Sequence, residues 1–351
     1  MIHKYKAIFF LPSGTGGAER VSVTISKYLP RDKYNVIFVI VDRKRGSIEK
    51  FIPNGVEIQF IKIRNIWDFT VCKLIRLLRK ERPDFTFSSN IYLNVRILLA
   101  SRIVGNIRSI VRNDNGLEIV RWDDKIFMKF TYRWADKIIA QQDEMKHQLI
   151  DVMKFPSNKI LTLHNPIDIE TIEKKLEEKS PYDNKDCIKF VWVGRFAKTK
   201  GQDVLVRAFS IVHQIYPNSE LYFIGKYSHD SYCEFVKELI QAYHLEEFVH
   251  MIGFDNNPYK WIKYCDCFVL PSRYEGLPNG LIEAMYIGKP VVATRCIPIV
   301  DRIVKDGYNG YLVESEDYQT MADRMQKALL LRDFKMTYKP NSIDDFRSLF
   351  R

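Results

Sequence analysis

The sequence predicts an α/β protein of two Rossmann-like, doubly wound domains facing each other across a cleft. Three observations carry that expectation. Short apolar runs alternate with amphipathic helical stretches along the chain, the pattern of βα units on a mostly parallel sheet. The alternation lapses in the charged, apolar-poor stretch from Ile172 to Asp186 and then restarts. The 351 residues also exceed what one core ordinarily holds. The expected parts are a first domain over 1–170, a linker region over 171–186, a second domain over 187–340 and a C-terminal helix over 341–351 that returns to the first domain.

In the first domain the apolar runs place strands at Ala7–Leu11, Val36–Val41, Ile58–Ile63, Phe85–Ser88, Ser109–Val111, Lys137–Ala140 and Ile160–Leu163. Helical periodicity falls between most of them, around Ala18–Leu29, Phe69–Arg82, Leu93–Val104, Lys125–Trp134 and Glu144–Val152. The second domain repeats the scheme with strands Ile188–Val193, Glu220–Ile224, Val249–Met251, Cys267–Leu270, Val291–Ala293 and Gly310–Val313. Its helices are expected at Asp203–Ile215, Ser231–Tyr243, near Trp261, and at Asn279–Ile287, Val300–Val304 and Tyr318–Leu331.

Charge is unevenly placed. The net charge is +11, and residues 1–170 hold 29 Lys/Arg against 18 Asp/Glu, so the whole excess belongs to the first half. Such asymmetry suggests an anionic partner there. No stretch approaches the roughly 20 apolar residues of a membrane-spanning helix, and the N-terminal residues read as an opening strand. Six scattered cysteines, with Cys265 and Cys267 flanking Asp266, read as reduced thiols in a cytosolic protein.

Three loops follow predicted strands and carry chemistry. Pro12-Ser13-Gly14-Thr15-Gly16-Gly17-Ala18-Glu19-Arg20 leads into a helix, where glycines permit close backbone approach and the helix start favours negative charge. Taken alone it is equally a tight βα turn. Gly194-Arg195-Phe196-Ala197-Lys198-Thr199-Lys200-Gly201 opens the second domain, and Arg195 with Lys200 suits a diphosphate leaving group or, in isolation, solvent. Tyr274-Glu275-Gly276-Leu277-Pro278-Asn279-Gly280-Leu281-Ile282-Glu283 sets two carboxylates on either side of a turn at a helix start. Acids there suit sugar hydroxyls and free N–H groups suit phosphate, although dipole stabilisation would explain one acid without any ligand.

The two second-domain motifs resemble those of the retaining glycosyltransferases of family 4, which have the GT-B fold. The family's E-x7-E signature matches Glu275 and Glu283, and "EGLPNGLIEAMYIGKPVVAT" is similar to the branch that builds bacterial surface polysaccharides. Gly194, Arg195, Lys200 and Gly201 match its diphosphate element, and Gly16 to Arg20 its N-terminal glycine loop. Ala135-Asp136, His164 to Asp168 and Asp306 to Val313 resemble further landmarks. The resemblance implies that Glu275 contacts the transferred sugar, Glu283 the ribose, and Arg195 with Lys200 the diphosphate. Gly16, Gly17, Gly194, Phe254, Gly276, Leu277, Pro278 and Asn279 would complete donor binding. The donor it favours is a UDP-sugar, with no metal and no other cofactor, and the acceptor is lipid-linked or an oligosaccharide. Asp123-Asp124 after Trp122 reads as helix capping and not as a metal-binding D-x-D.

Where many members carry a first-domain His, this chain reads Val111-Arg112-Asn113-Asp114-Asn115. Asn113 or Asp114 is the candidate to orient the acceptor hydroxyl, with a polar turn as the alternative. Two basic segments suggest contact with an anionic membrane surface: the helix bearing Lys73, Arg76, Arg79, Lys80 and Arg82, and the aromatic-basic run Lys125–Trp134. Either is equally readable as a packed helix with a solvated basic face. With the charge excess, they imply a cytoplasmic enzyme peripheral on the inner face of the membrane. A GT-B nucleotide-sugar epimerase is an alternative, as is a basic nucleic-acid-binding protein, but no recognition-helix, RNP or zinc pattern supports nucleic acid.

Overall fold

The computed structural model describes residues 4–14, 16–42, 44, 46, 48–63, 70–118, 120–183, 186–227, 231–332 and 335–351. Thr15 of the glycine loop, Phe69 at the start of an expected helix and residues 184–185 of the expected linker lie outside them. The chain divides into two compact units, one of residues 1–167 with 340–351 and one of residues 168–339.

The first unit holds β1 (Tyr5–Leu11), β2 (Tyr34–Asp42), β3 (Glu57–Lys62), β4 (Phe85–Ser88), β5 (Arg108–Asn113), β6 (Lys137–Ala140) and β7 (Ile160–Thr162). They form a seven-stranded sheet in the order β3-β2-β1-β4-β5-β6-β7, and the pairings are parallel. Strand β1 shows why its sequence is apolar at every step from Ala7 to Leu11. Ala7, Phe9 and Leu11 face one layer, which contains Val21 and Ile25 of the helix Gly17–Lys27. Ile8 and Phe10 face the other layer, with Leu74 and Leu78 of the helix Thr70–Glu81. A central parallel strand is covered on both sides, so alternation disappears. Phe346, Leu349 and Phe350, from the C-terminal segment, join the first layer; the Phe350 ring stacks on Phe9 at 5.7 Å between centroids, and Tyr34 donates its hydroxyl to the Phe350 carbonyl.

The second unit holds β8 (Ile188–Val193), β9 (Ser219–Ile224), β10 (Val249–Gly253), β11 (Cys267–Leu270), β12 (Val291–Thr294) and β13 (Gly310–Val313). Their order is β10-β9-β8-β11-β12-β13, the doubly wound arrangement in which the sheet reverses direction between β8 and β11. The stretch 171–186, expected as a linker, lies within this unit as the chain divides. Residues Ile169–Lys175 form a helix, and the Tyr182 hydroxyl donates to the Trp261 carbonyl at 2.6 Å.

Both sheets start their central strands with the same device. Asp84, just before β4, accepts from the Lys6 N–H of β1 at 2.7 Å, and Asp266, just before β11, accepts from the Lys189 N–H of β8 at 2.8 Å. Each carboxylate satisfies a backbone donor that the ladder leaves over at the strand's entry. Asp136 repeats the bond to Ser109 at β5, at 2.7 Å.

One local expectation is corrected. Asp123 and Asp124 do not cap the helix Trp122–Thr131, because Arg121 is its N-cap and makes no side-chain capping bond. The two acids occupy the first turn, and Asp123 pairs with Arg121 at 2.9 Å. They complement the helix dipole instead.

Candidate active site

Ligands of doubly wound sheets bind beyond the strand carboxyl ends, at the point where strand order reverses. In the second unit those loops follow β8 and β11. After β8 come Gly194 and Arg195, then a single 3-10 turn at Lys198–Lys200, then the helix Gln202–Ile215. Gly201 joins the turn to the helix with φ at +68°, and a Cβ there would run into the Pro271 carbonyl. Only glycine lets the β8 loop lie against the β11 loop.

That close approach brings together the sequence-predicted pair. Lys200 Nζ lies 2.6 Å from Glu275 Oε2, and the two side chains are only 22% and 11% exposed. The other carboxylate oxygen, Oε1, accepts from the Ser272 hydroxyl at 2.8 Å. Thr294, at the end of β12, donates to the Ser272 carbonyl and so steadies the turn. Glu275 is therefore held by both oxygens in a sheltered position, while Arg195 is exposed and shows no ion pair among the described residues.

Arg273 ties the two loops from the side. Its guanidinium makes a two-pronged contact with Asp203, at 2.8 Å on each prong, and it also donates to the Lys198 carbonyl at 2.6 Å and to Glu316 at 3.0 Å. Tyr232 donates to Asp203 at 2.7 Å. Burial pushes the Asp203 carboxyl up, but the bonds from Arg273 and Tyr232 outweigh it and hold the group below its ordinary range. The neighbouring Cys296 thiol is pushed up to about 12, by burial first and then by the charge of Glu275.

Leu277 and Pro278 are buried, and the helix Asn279–Tyr286 starts directly after them. Gly276 and Asn279 sit half-buried at that start. Glu283 lies on the helix and accepts from the buried Tyr259 hydroxyl at 3.4 Å. Phe254 follows β10 and is 55% exposed, a ring available for stacking.

The remaining predicted residues belong to the first unit. Gly16 precedes the helix whose first residue is Gly17. The carboxyl of Glu19 folds back onto the backbone of Gly16 and its own N–H, so that helix start is capped by its own side chain. Asn113 is buried, and its side-chain oxygen accepts from the Tyr132 hydroxyl at 3.0 Å. Tyr132 in turn accepts from Asn94 at 2.9 Å. Asp114 is the half-buried one of the pair. Its carboxyl is pushed up by burial, against the pull of Arg112.

Arg112 is the residue the motifs did not single out. It is fully buried at the end of β5, with one guanidinium nitrogen donating to Asn165. Its Nε and Nη1 have no hydrogen-bond partner among the described residues. Burial lowers it to about 10, opposed by Asp114 and Glu19. Glu19 is itself raised, by burial first and then by Asp114. Ser272, Asp203, Arg273 and Tyr259 were also missed as site residues. A charged residue directly after the buried pair Ile110-Val111, as Arg112 is, was a signal the sequence offered.

The sequence profile for glycosyl transferases group 1 matches residues 173–344, and that for glycosyltransferase family 4 matches residues 15–171. The chain belongs to glycosyltransferase family 4. An uncharacterised glycosyltransferase of Methanocaldococcus jannaschii is 31% identical over 252 residues, which cover 66% of this chain and 61% of that one. A Campylobacter jejuni enzyme, N-acetylgalactosamine-N,N'-diacetylbacillosaminyl-diphospho-undecaprenol 4-alpha-N-acetylgalactosaminyltransferase, is 28% identical, over 95% of this chain and 92% of its own. A capsular polysaccharide biosynthesis glycosyltransferase, CapH of Staphylococcus aureus, is 28% identical over 77% and 75%. Among solved structures, Anabaena HepE in complex with UDP and glucose superposes with a TM-score of 0.77 at 20% identity, over 93% of this chain and 92% of that one. This likeness shows the fold of the glycosyltransferase, GT-B. Lys200 and Ser272 hold Glu275, and Tyr259 meets Glu283.

Proposed function

We propose that this glycosyltransferase moves a hexose or N-acetylhexosamine from a UDP-sugar to a lipid-linked or oligosaccharide acceptor, with retention at the anomeric carbon. The product belongs to a surface polysaccharide: capsule, O-antigen or lipopolysaccharide. One observation carries the reading: Glu275 is held by Lys200 and Ser272 at the β8–β11 switch point, with Arg195 exposed on the loop beside it. Support for the acceptor class comes from the diphospho-undecaprenol in the Campylobacter relative's name and the capsule in the Staphylococcus relative's. The UDP in the HepE complex supports the donor.

In this reading the donor diphosphate rests on Arg195 and Lys200, Glu283 accepts the ribose hydroxyls, and Phe254 borders the base. Glu275 accepts from the hydroxyls of the transferred sugar. The bond from the anomeric carbon to the diphosphate oxygen breaks as the acceptor oxygen attacks from the same face. The acceptor's proton passes to the departing phosphate, so charge and atoms balance. Fixed cations lower the barrier by meeting the charge that grows on the leaving group. This assigns the neutralisation to Arg195 and Lys200 rather than to a metal.

On the acceptor side Asp114 is the better of the two candidates. Asn113 spends its side-chain oxygen on Tyr132 in the core, whereas Asp114 is half-buried beside Arg112 and Glu19. The excess charge of residues 1–170 fits a location at an anionic membrane surface, on the cytoplasmic side. Among the described residues no helix is long and apolar enough to cross a membrane.

A thermal-shift panel of nucleotide sugars tests the reading. A UDP-sugar at a hundred times its Kd should stabilise the protein by about 2.7 kcal/mol by mass action. The same donor should then yield glycosylated product with a short-chain polyprenyl-diphosphate sugar. Stabilisation by no nucleotide sugar, or hydrolysis without transfer, sinks the proposal.

A further inference from the structure

The helix Trp122–Thr131 is turned the wrong way for an ordinary surface helix. Its buried side is supplied by Met128 and Thr131, which pack with Tyr132 into the first unit's core. On the opposite side Trp122, Ile126 and Phe130 recur at every fourth position and are 74%, 47% and 58% exposed, with Phe127 beside them at 56%. An α-helix places such residues on one face. Water-facing positions therefore carry the large apolar side chains, a contiguous patch of a kind that marks an interaction surface.

The charges around that patch decide among partners. Lys125 and Lys129 flank it along the helix, Arg121 precedes it, and Arg133 follows with its guanidinium over the Phe130 ring at 5.9 Å. Asp123 is neutralised by Arg121 at 2.9 Å, and Asp124 is half-buried on the inner side. An apolar ridge with a Trp at one end and a cationic border matches the interface of an anionic bilayer, where rings sit at headgroup level and lysines reach phosphates. The other basic helix, Thr70–Glu81, differs. Its Leu74 and Leu78 are buried under the sheet, and its outer face offers Arg76, Arg79 and Lys80 without an apolar ridge.

We infer that Trp122–Thr131 is the element by which the protein docks on an anionic lipid bilayer, inserting Trp122, Ile126, Phe127 and Phe130 to headgroup depth. The inference deepens the lipid-linked acceptor reading and rests on it for its purpose. It names one helix and separates it from general basic attraction.

Vesicles of phosphatidylcholine with phosphatidylglycerol, and of phosphatidylcholine alone, test it with the full chain. The protein should sediment with the anionic vesicles. A variant carrying Trp122→Ser, Phe127→Ser and Phe130→Ser should partition at least tenfold less, since three inserted side chains are lost. Arg76→Gln with Arg79→Gln should leave most of the binding in place. Brominated lipids should quench part of the unaltered protein's tryptophan emission, and Trp122→Phe should remove that part, a readout that does not depend on the triple variant folding. Equal sedimentation of unaltered and triple-variant protein overturns the inference. So does concentration-dependent self-association that the triple substitution abolishes without any vesicle binding, which would assign the face to a second copy. Nucleotide-sugar stabilisation serves as the separate control. If it persists while vesicle binding fails, only the docking inference falls.

Discussion

The two units share a construction plan and differ in how their polar groups are settled. Both place a central apolar strand beside a later one, and both fix that pair with an aspartate on a strand-entry N–H, Asp84 in one and Asp266 in the other. In the second unit two ion pairs close at the switch point, Lys200 with Glu275 and Arg273 with Asp203, while Arg195 stays exposed. In the first, Arg112 is buried with two nitrogens unmet among the described residues, and Glu19 and Asp114 are both pushed up. The same fold thus carries one charge cluster organised in advance and one that is electrostatically open. Preorganised charge suits a donor whose leaving group must be stabilised, and an unmet cluster suits a partner that brings its own polar groups.

The sharpest break of this comparison is Glu275→Ala. Transfer should fall by about a thousandfold or more, in the range for loss of a group that acts on the reacting centre, while the melting temperature stays close to that of the unaltered protein. Near-normal turnover of the same donor and acceptor would remove Glu275 from the chemistry.

Next comes Arg273→Ala, which removes the tie between the β8 and β11 loops. Losing the charged bonds to Asp203 should destabilise the protein by about 2 kcal/mol and raise the donor KM by about tenfold. The sign with pH is fixed. Because the Asp203 carboxyl is held below its ordinary range, its contribution is present at neutral pH and is lost as pH falls through the folded value. Denaturant melts should therefore show the gap between Arg273→Ala and the unaltered protein closing in acid.

In the first unit, Asn113→Ala and Asp114→Ala should separate. Removing Asn113 leaves the Tyr132 hydroxyl without its acceptor and should lower stability by about 1–3 kcal/mol, with little change in the acceptor KM. Removing Asp114 should raise the acceptor KM by about tenfold and spare the donor KM. The opposite pattern in steady-state kinetics would exchange the two roles.

The smallest effect is expected from Glu19→Gln, which keeps an acceptor oxygen for the Gly16 backbone and removes a buried charge. Burial and Asp114 raise the folded Glu19 carboxyl, so its penalty is absent in acid and grows as pH rises through the folded value. The variant should melt higher than the unaltered protein at neutral pH, by a few degrees at most, and coincide with it near pH 4. A lower melting temperature at neutral pH would show that the capping bond outweighs the charge.

Much of this was legible in one dimension because its causes are local. The β1 run reads as a covered strand since every residue from Ala7 to Leu11 is apolar. The two acids at Glu275 and Glu283 and the cations at Arg195 and Lys200 stand in recognisable motifs. Asp123 and Asp124 misled, because a helix's first turn and its cap differ by only one or two positions. The residues 171–175 looked like linker for want of apolar side chains, yet they lie in a helix that needs only Ile172 to be buried. Arg273, one residue before the signature stretch, carries no local sign of its role, since its partner Asp203 lies 70 positions away.

By itself the sequence determined the doubly wound class, the family and the candidate residues proposed to meet the donor, because period, turn chemistry and motif spacing depend on neighbours along the chain. Only the tertiary structure decided that Asn113 turns into the core while Asp114 stays half-buried, and that Arg112 is buried with donors unmet among the described residues. It also decided which of two basic helices hides its apolar residues. Leu74 and Leu78 in one and Trp122, Ile126 and Phe130 in the other follow similar helical spacing, and periodicity states that a face exists without saying whether the core or the solvent lies beyond it.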